Sequence, residues 1–263
     1  MDLGLKGKVA IVAGSSKGLG KAVALELAQE GANVVICSRN ESVLLETARE
    51  IGSRTGVQVL ALPVDVSKAA DVENLINTTG NRFGRIDILV NNAGGPPTGS
   101  FENMPDEEWA KAIEQNLLSA VRMSKAVVPF MKKQGWGRII NITSLYAKEP
   151  MEGFLLSNSA RAGVIGLAKT MSMELGKYNI TVNSVLPGLH ETARLHNIFQ
   201  TRADQSKKSY EEVRDEEAKG IPLRRIGDPK ELAAAVAFLA SERAGYITGV
   251  ALVVDGGVSR SAF

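Results

Sequence analysis

Residues 9–13 are wholly apolar and run directly into Gly14-Ser15-Ser16-Lys17-Gly18-Leu19-Gly20, after which an amphipathic run continues over residues 19–29. Few arrangements constrain a fold as tightly as a buried strand that passes through a glycine turn into a helix. Glycine lets the backbone take left-handed conformations and approach a ligand closely, and the unpaired N–H groups of the first helical turn face negative charge. The spacing is G-x-x-x-G-x-G (Gly14, Gly18, Gly20), not the commoner G-x-G-x-x-G dinucleotide fingerprint. By itself it fits a phosphate-binding device, with Ser16, Lys17 and Leu19 beside the glycines, or a strand-to-helix turn with no ligand.

The same alternation then repeats. Short apolar runs at 33–37, 57–62, 86–90, 138–142, 180–186 and 250–254 read as strands. Helix-like stretches fall at 41–53, 69–81, 106–131, 155–177 and 231–240, with Pro105 suited to a helix start. Strands of this length separated by helices imply crossover units and a parallel sheet covered on both faces. A chain of 263 residues without a composition break fits one such α/β domain. The rhythm fails only at 191–220, a charged segment with six basic residues between Arg194 and Lys219. It follows the sixth strand, at the carboxyl edge where ligands bind in open sheets. A mobile lid is the preferred reading and a solvated insertion the alternative.

Charge and cysteine content exclude several classes. The formal net charge is +2 with no basic block, so no nucleic-acid footprint is expected. Cys37 is the only cysteine, which rules out an internal disulfide, and no metal-ligand spacing is present. No apolar run approaches the roughly 18 residues of a membrane span, and the first residues lack a signal-peptide apolar region. A soluble, cytoplasmic protein acting on a small molecule is expected.

Further motifs close other strands: Asn91-Asn92-Ala93-Gly94, then Asn141-Ile142-Thr143-Ser144, then Pro187-Gly188 with Thr192. Together with the glycine turn, in this order and over nearly the whole chain, they resemble the short-chain dehydrogenase/reductase family, most of all its 3-oxoacyl-carrier-protein reductase-like branch. The resemblance implies a single-domain Rossmann-like, doubly wound parallel sheet of seven strands in the order 3-2-1-4-5-6-7. It also implies a homodimer or homotetramer. The runs at 106–131 and 155–177 carry more apolar positions than one buried helix face requires, and in the family these helices pack against their copies. The last strand joins a second interface.

NAD readers usually place a carboxylate at the end of the second strand to bind both ribose hydroxyls. Here the text is Cys37-Ser38-Arg39-Asn40, and Glu41 lies already inside the next helix. Arg39 and Lys17 offer positive charge where a 2′-phosphate would lie, which favours NADP(H) over NAD(H); both also read as solvated surface cations. The resemblance places Asp65 and Val66 beside the adenine and Asn92, Ala93 and Gly94 along the adenosine side. It adds Pro187, Gly188 and Thr192 to the cofactor site.

Carbonyl reduction requires a proton donor for the nascent alkoxide and a donor that steadies the carbonyl oxygen. The family uses Asn, Ser, Tyr and Lys, the last two as Y-x-x-x-K on one helix face. Asn116 matches the Asn, which holds a relay water, and Ser144 matches the Ser. The register of Ala162-Gly163-Val164-Ile165-Gly166 puts Ser157 at the Tyr position and Arg161 at the Lys position. No Y-x-x-x-K exists in the chain: Tyr146, Tyr178, Tyr210 and Tyr246 are followed four residues later by Pro150, Val182, Arg214 and Val250. A serine hydroxyl ends roughly 4 Å closer to its backbone than a tyrosine hydroxyl. Arginine supplies charge and binds ribose hydroxyls but does not release its proton. Tyr146, Lys148 and His190 are outside candidates for the missing acid, each with a structural alternative. Two readings follow: an NADP(H)-dependent carbonyl/alcohol oxidoreductase with an altered proton relay, or a catalytically silent NADP-binding or assembly protein that kept the fold.

Overall fold

Alternate residues of β1 (Val9–Ala13) enter opposite layers. Val9 and Ile11 pack into one core and Ala10 and Val12 into the other, which is the two-residue period of a strand buried on both faces. The computed structural model describes residues 2–262. β2 (Asn33–Ser38), β3 (Val59–Pro63), β4 (Ile88–Asn92), β5 (Gly137–Ile142), β6 (Ile180–Pro187) and β7 (Ala251–Val254) complete one sheet. All pairings are parallel, and the order is β3-β2-β1-β4-β5-β6-β7. Helices α1 (Gly18–Gln29), α2 (Glu41–Thr55) and α9 (Pro229–Ala240) cover one face. The other face packs α3 (Ala69–Phe83), α5 (Ser119–Gln134) and α6 (Leu155–Leu175). This is the expected seven-stranded Rossmann-like domain.

Strand ends differ from expectation where side chains capture the backbone. Gln58 N–H donates to Asn33 Oδ1, so β3 starts at Val59 and not at 57. The Gln134 amide takes both Ile86 N–H and Ile86 C=O, so β4 starts at Ile88 and not at 86. The expected continuous helix over 106–131 is also corrected. It comprises α4 (Asp106–Ile113), a single π turn at Glu114–Leu118, and then α5. From the first residue of α5, Ser119 Oγ donates back to Gln115 O of the turn, and such back-bonding by short polar side chains loosens a helical ladder.

Segment 191–220 is not irregular. It forms α7 (Ala193–Ser206) and α8 (Tyr210–Gly220) around a small core of Leu195, Phe199, Ala203, Val213, Ala218, Ile221 and Ile226. Thr192 caps α7 through Leu195 N–H, and Ser209 with Glu212 forms a reciprocal capping box on α8. At the amino edge of the sheet, fully buried Asp87 accepts from Val9 N–H, Gln134 and both arms of Arg85. Buried Arg138 donates to the carbonyls of Gly137, Asn179 and Ser241, beside the Trp136 ring. That edge is braced, which leaves the carboxyl edge for chemistry. No helix among the described residues is long and apolar enough to cross a membrane.

Candidate active site

The glycine turn is built for contact. Gly14 has φ +59°, and a Cβ there would lie 2.7 Å from the Asn92 carbonyl oxygen; a Cβ at Gly20 would lie 2.3 Å from the Gly14 oxygen. Asn92 Nδ2 donates to Ala13 O and Gly14 O, both at 3.2 Å, so the end of β4 braces the turn. Ser15 does related work that sequence reasoning missed. Its hydroxyl donates to Val12 O at 2.7 Å and accepts from Cys37 N–H at 3.0 Å, joining β1 to β2. Burial pushes the Cys37 thiol up to about 12, which leaves it inert at neutral pH.

Two helix N-termini meet at this turn. A Cβ on Gly18, at the start of α1, would lie 3.6 Å from Thr192 Cγ2, at the start of α7. Neither helix has an acidic residue in its first turn. Each end carries roughly half a positive charge, so the two together form a seat for an anion. Exposed Lys17 stands at the N-cap of α1, and exposed Arg39 at the end of β2. Neither side chain makes a hydrogen bond or ion pair among the described residues. Burial would raise the nearby Asp65 carboxyl, but the hydroxyl and N–H of Ser67, with Arg39 and Lys68, hold it below the usual range. Val66 is half-buried beside it.

Between the ends of β4 and β5 sits Arg161, 8% exposed, reaching in from α6. Its Nη1 donates to Thr143 O at 2.7 Å and Ile142 O at 3.2 Å, and its Nη2 to Ala93 O at 3.0 Å. Nε is buried without a partner. Burial, and then the charge of Arg194, push its pKa down to about 10, so it remains a cation at neutral pH. Ser157 lies one helical turn earlier on the same face, and its hydroxyl makes no hydrogen bond among the described residues. Ser144 Oγ accepts Tyr146 N–H at 3.2 Å, capping the single turn Leu145–Ala147, while its own proton stays uncommitted. The Tyr146 ring packs tilted on Phe154 at 5.1 Å. Burial, then Glu217, push its phenol pKa up against the opposing charge of Arg202.

Asn116 lies in the π turn, a distortion frequent at functional sites. It is 5% exposed, its Nδ2 donates to Ala112 O, and its Oδ1 is buried without a partner. Gly94 O accepts from Gln115 of the same turn at 3.3 Å. Pro187 and Gly188 are held by β7: Pro187 pairs with Val254, and Gly188 N–H donates to Val254 O. His190 does not join this group. Its ring is buried against Gly227, Nδ1 contacts Gly188 O at 3.3 Å, and its charged neighbours are Glu231, Asp228 and Asp255. The Lys148 ammonium has no hydrogen-bond partner among the described residues.

Two residues lack any sequence motif. Arg194, in the first turn of α7, donates from Nη1 to Gly95 O at 2.8 Å and from Nη2 to Pro96 O at 3.3 Å. Glu149, five residues past Ser144, accepts from the Ser259 hydroxyl, Arg260 N–H and Ser261 N–H. The C-terminal tail is thereby tied to the loop that carries Tyr146.

A glycine cradle at a parallel sheet's carboxyl edge, facing a strand-end serine and a helix-borne cation, is the layout of a short-chain dehydrogenase/reductase. A family model described as Enoyl-(Acyl carrier protein) reductase matches residues 13–259, and the chain belongs to that short-chain dehydrogenase/reductase family. It is 40% identical over 256 residues to the 3-oxoacyl-acyl-carrier-protein reductase FabG of Vibrio cholerae, covering 97% of this chain and 99% of the relative. It is 37% identical to Dehydrogenase/reductase SDR family member 4 of Homo sapiens over 254 residues, covering 96% and 88%. Among solved structures, L-sorbose reductase from Gluconobacter frateurii, complexed with NADPH and L-sorbose, superposes with a TM-score of 0.96. Its sequence is 35% identical, and the match covers 99% of this chain and 100% of that one.

Proposed function

We propose that the chain is an NADP(H)-dependent oxidoreductase of a carbonyl/alcohol substrate, a 3-oxoacyl-like compound being one candidate, working through an altered proton relay. The observation that carries this reading is the meeting of the α1 and α7 N-termini at Gly18 and Thr192, beside a turn in which neither Gly14 nor Gly20 has room for a Cβ. A dinucleotide diphosphate matches that seat in charge, and the NADPH named with L-sorbose reductase supports the match. Gly14, Ser16, Lys17, Gly18, Leu19 and Gly20 would hold it with Thr192. Arg39 and Lys17 would take a 2′-phosphate, Asp65 and Val66 the adenine, and Asn92, Ala93 and Gly94 the adenosine side. Pro187, Gly188 and Arg161 would complete the contacts. When bound, NADPH supplies a hydride.

The chain's own part is to steady oxygen and deliver a proton. Ser144 steadies the carbonyl oxygen with a hydrogen bond from its free hydroxyl and keeps its proton. Ser157 and Arg161 stand where the family has Tyr and Lys. The short Ser157 side chain leaves room for a water, and the unpaired Asn116 Oδ1 is an acceptor able to orient a relay water. Arg161 contributes charge and not a proton, since its guanidinium stays ionised. Tyr146 is a poorer acid than a free phenol because burial raises its pKa. Helices α7 and α8 act as the lid, the assembly is a homodimer or homotetramer, and the protein works in the cytoplasm.

One observation favours a second reading, a catalytically silent NADP-binding protein: three of Arg161's hydrogen bonds go to backbone carbonyls. NADPH titration beside an NADPH-oxidation screen of ketones, aldehydes and acyl thioesters separates the two. Binding with turnover establishes the reductase. Binding without turnover selects the silent protein.

A further inference from the structure

The three arginines of α7 and α8 are not alike. Arg202 pairs with Glu217 and Arg214 with Glu191. Arg194 has no carboxylate within ion-pair distance among the described residues and rests on two carbonyls of the loop after β4, one of them at 3.3 Å. Arg161 grips the same loop through Ala93 O, also without a carboxylate. Residues 93–96 are thus held by two guanidiniums, close enough that the charge of Arg194 acts on Arg161.

A guanidinium bonded to carbonyls meets no opposite charge. A carboxylate adds that charge and a bidentate, fork-to-fork fit that two separate carbonyls lack. The resting place is also easy to leave. The guanidinium lies on the bare Cα of Gly95, where a Cβ would sit 2.3 Å from Nη1, and its stem is an exposed, flexible side chain. At the nucleotide end, the helix N-termini, Lys17 and Arg39 already supply positive charge. Arg161 sits on Thr143 O, next to Ser144, and Arg194 holds the same 93–96 loop that Arg161 reaches through Ala93 O.

On the reading of the site as a reductase, we infer that Arg194 determines specificity by leaving Gly95 and Pro96 to pair with a carboxylate on the substrate, which is therefore an oxo acid or hydroxy acid and not a neutral ketone. Phosphate shares this chemistry, so both anions enter the test.

The measurement is kcat/KM for 3-oxobutanoate against its ethyl ester, and for dihydroxyacetone phosphate against dihydroxyacetone, in wild type, Arg194→Gln and Arg194→Lys. The inference expects the acid-to-ester ratio to fall about ten- to a hundredfold in Arg194→Gln, with partial retention in Arg194→Lys, which keeps the charge without the fork. An unchanged ratio overturns it, as does a fall confined to the phosphate pair. Weaker NADPH binding by Arg194→Gln with an unchanged ratio also overturns it and places Arg194 at the nucleotide. If wild type turns over none of these compounds, calorimetry with malonate against malonamide on the NADPH-loaded protein decides. Malonate binding that Arg194→Gln abolishes supports the inference, and equal binding or none overturns it. Absence of NADPH binding refutes the reductase reading alone, and the malonate titration of the free protein then decides this one.

Discussion

Four glycine-to-alanine changes separate the ways in which the Gly14–Gly20 turn depends on glycine. Gly7 has φ +76° and nothing within 4 Å of where a Cβ would stand, so its alanine variant carries backbone strain alone, about 1–2 kcal/mol. Gly20 shows no positive φ, but its Cβ would lie 2.3 Å from the Gly14 oxygen. A backbone atom cannot swing aside as a side chain does, so overpacking costs about 1–3 kcal/mol. Gly14 combines φ +59° with a 2.7 Å approach to the Asn92 oxygen, for about 2–5 kcal/mol in all. Gly52, inside α2, has only Val59 Cγ2 at 3.9 Å, and its alanine variant gains about 0.8–1 kcal/mol of helix propensity. At about 2–4 °C per kcal/mol for a chain of this size, thermal midpoints should rank Gly52→Ala above wild type, then Gly7→Ala, with Gly14→Ala lowest, roughly 4–20 °C below wild type. NADPH fluorescence titration should show at least tenfold weaker binding for Gly14→Ala and Gly20→Ala, whereas Gly7→Ala and Gly52→Ala bind as wild type. A Gly20→Ala protein that melts and binds like wild type would refute the close-approach argument.

Wild type should bind NADPH more tightly than NADH, and Arg39→Asp should flatten or reverse that preference; equal wild-type affinities would remove the 2′-phosphate argument. Ser144→Ala should lower turnover about 10²–10³-fold, and Ser157→Ala much less if a water carries the proton; turnover that survives Ser144→Ala places the chemistry elsewhere. Burial holds the native His190 pKa below 6.5 despite Glu231, Asp228 and Asp255. The unfolded chain therefore takes up that proton first as pH falls through 6.5, and stability declines below it; His190→Gln should flatten this part of the melting-temperature profile, and an unchanged profile contradicts the assignment. Light scattering should report a dimer or tetramer joined through the two long helical segments and β7, where Met173 and Leu252 are exposed; a monomer at all concentrations excludes it.

The sheet is legible in the sequence because its strands are buried on both faces, and such strands read as unbroken apolar runs whatever their neighbours. Ser144 and Asn92 are legible because each ends such a run. Features made by contacts between distant segments are not. The π turn around Asn116 leaves no pattern in a stretch that reads as continuous helix. Asp87 and Ser15 look like ordinary polar residues until the segments they join are brought together. Arg194 reads as one cation among six in a charged segment, and only its hydrogen bonds to Gly95 O and Pro96 O, 99 and 98 residues away, set it apart. His190 looks available because it follows Pro187-Gly188, but the chain turns its ring toward Gly227.

The Glu149 contacts make residues 259–261 a mechanical part of the loop that follows Ser144 and carries Tyr146. Three donors from residues 259–261 converge on one carboxylate, 110 residues or more away along the chain. That carboxylate ends the short loop whose other end is the Ser144 hydroxyl, fastened to Tyr146 N–H. A change at residues 259–261 therefore pulls on the same strap that holds the Tyr146 loop. Altered turnover in a Ser259→Ala variant that melts like wild type would report on this strap and not on folding.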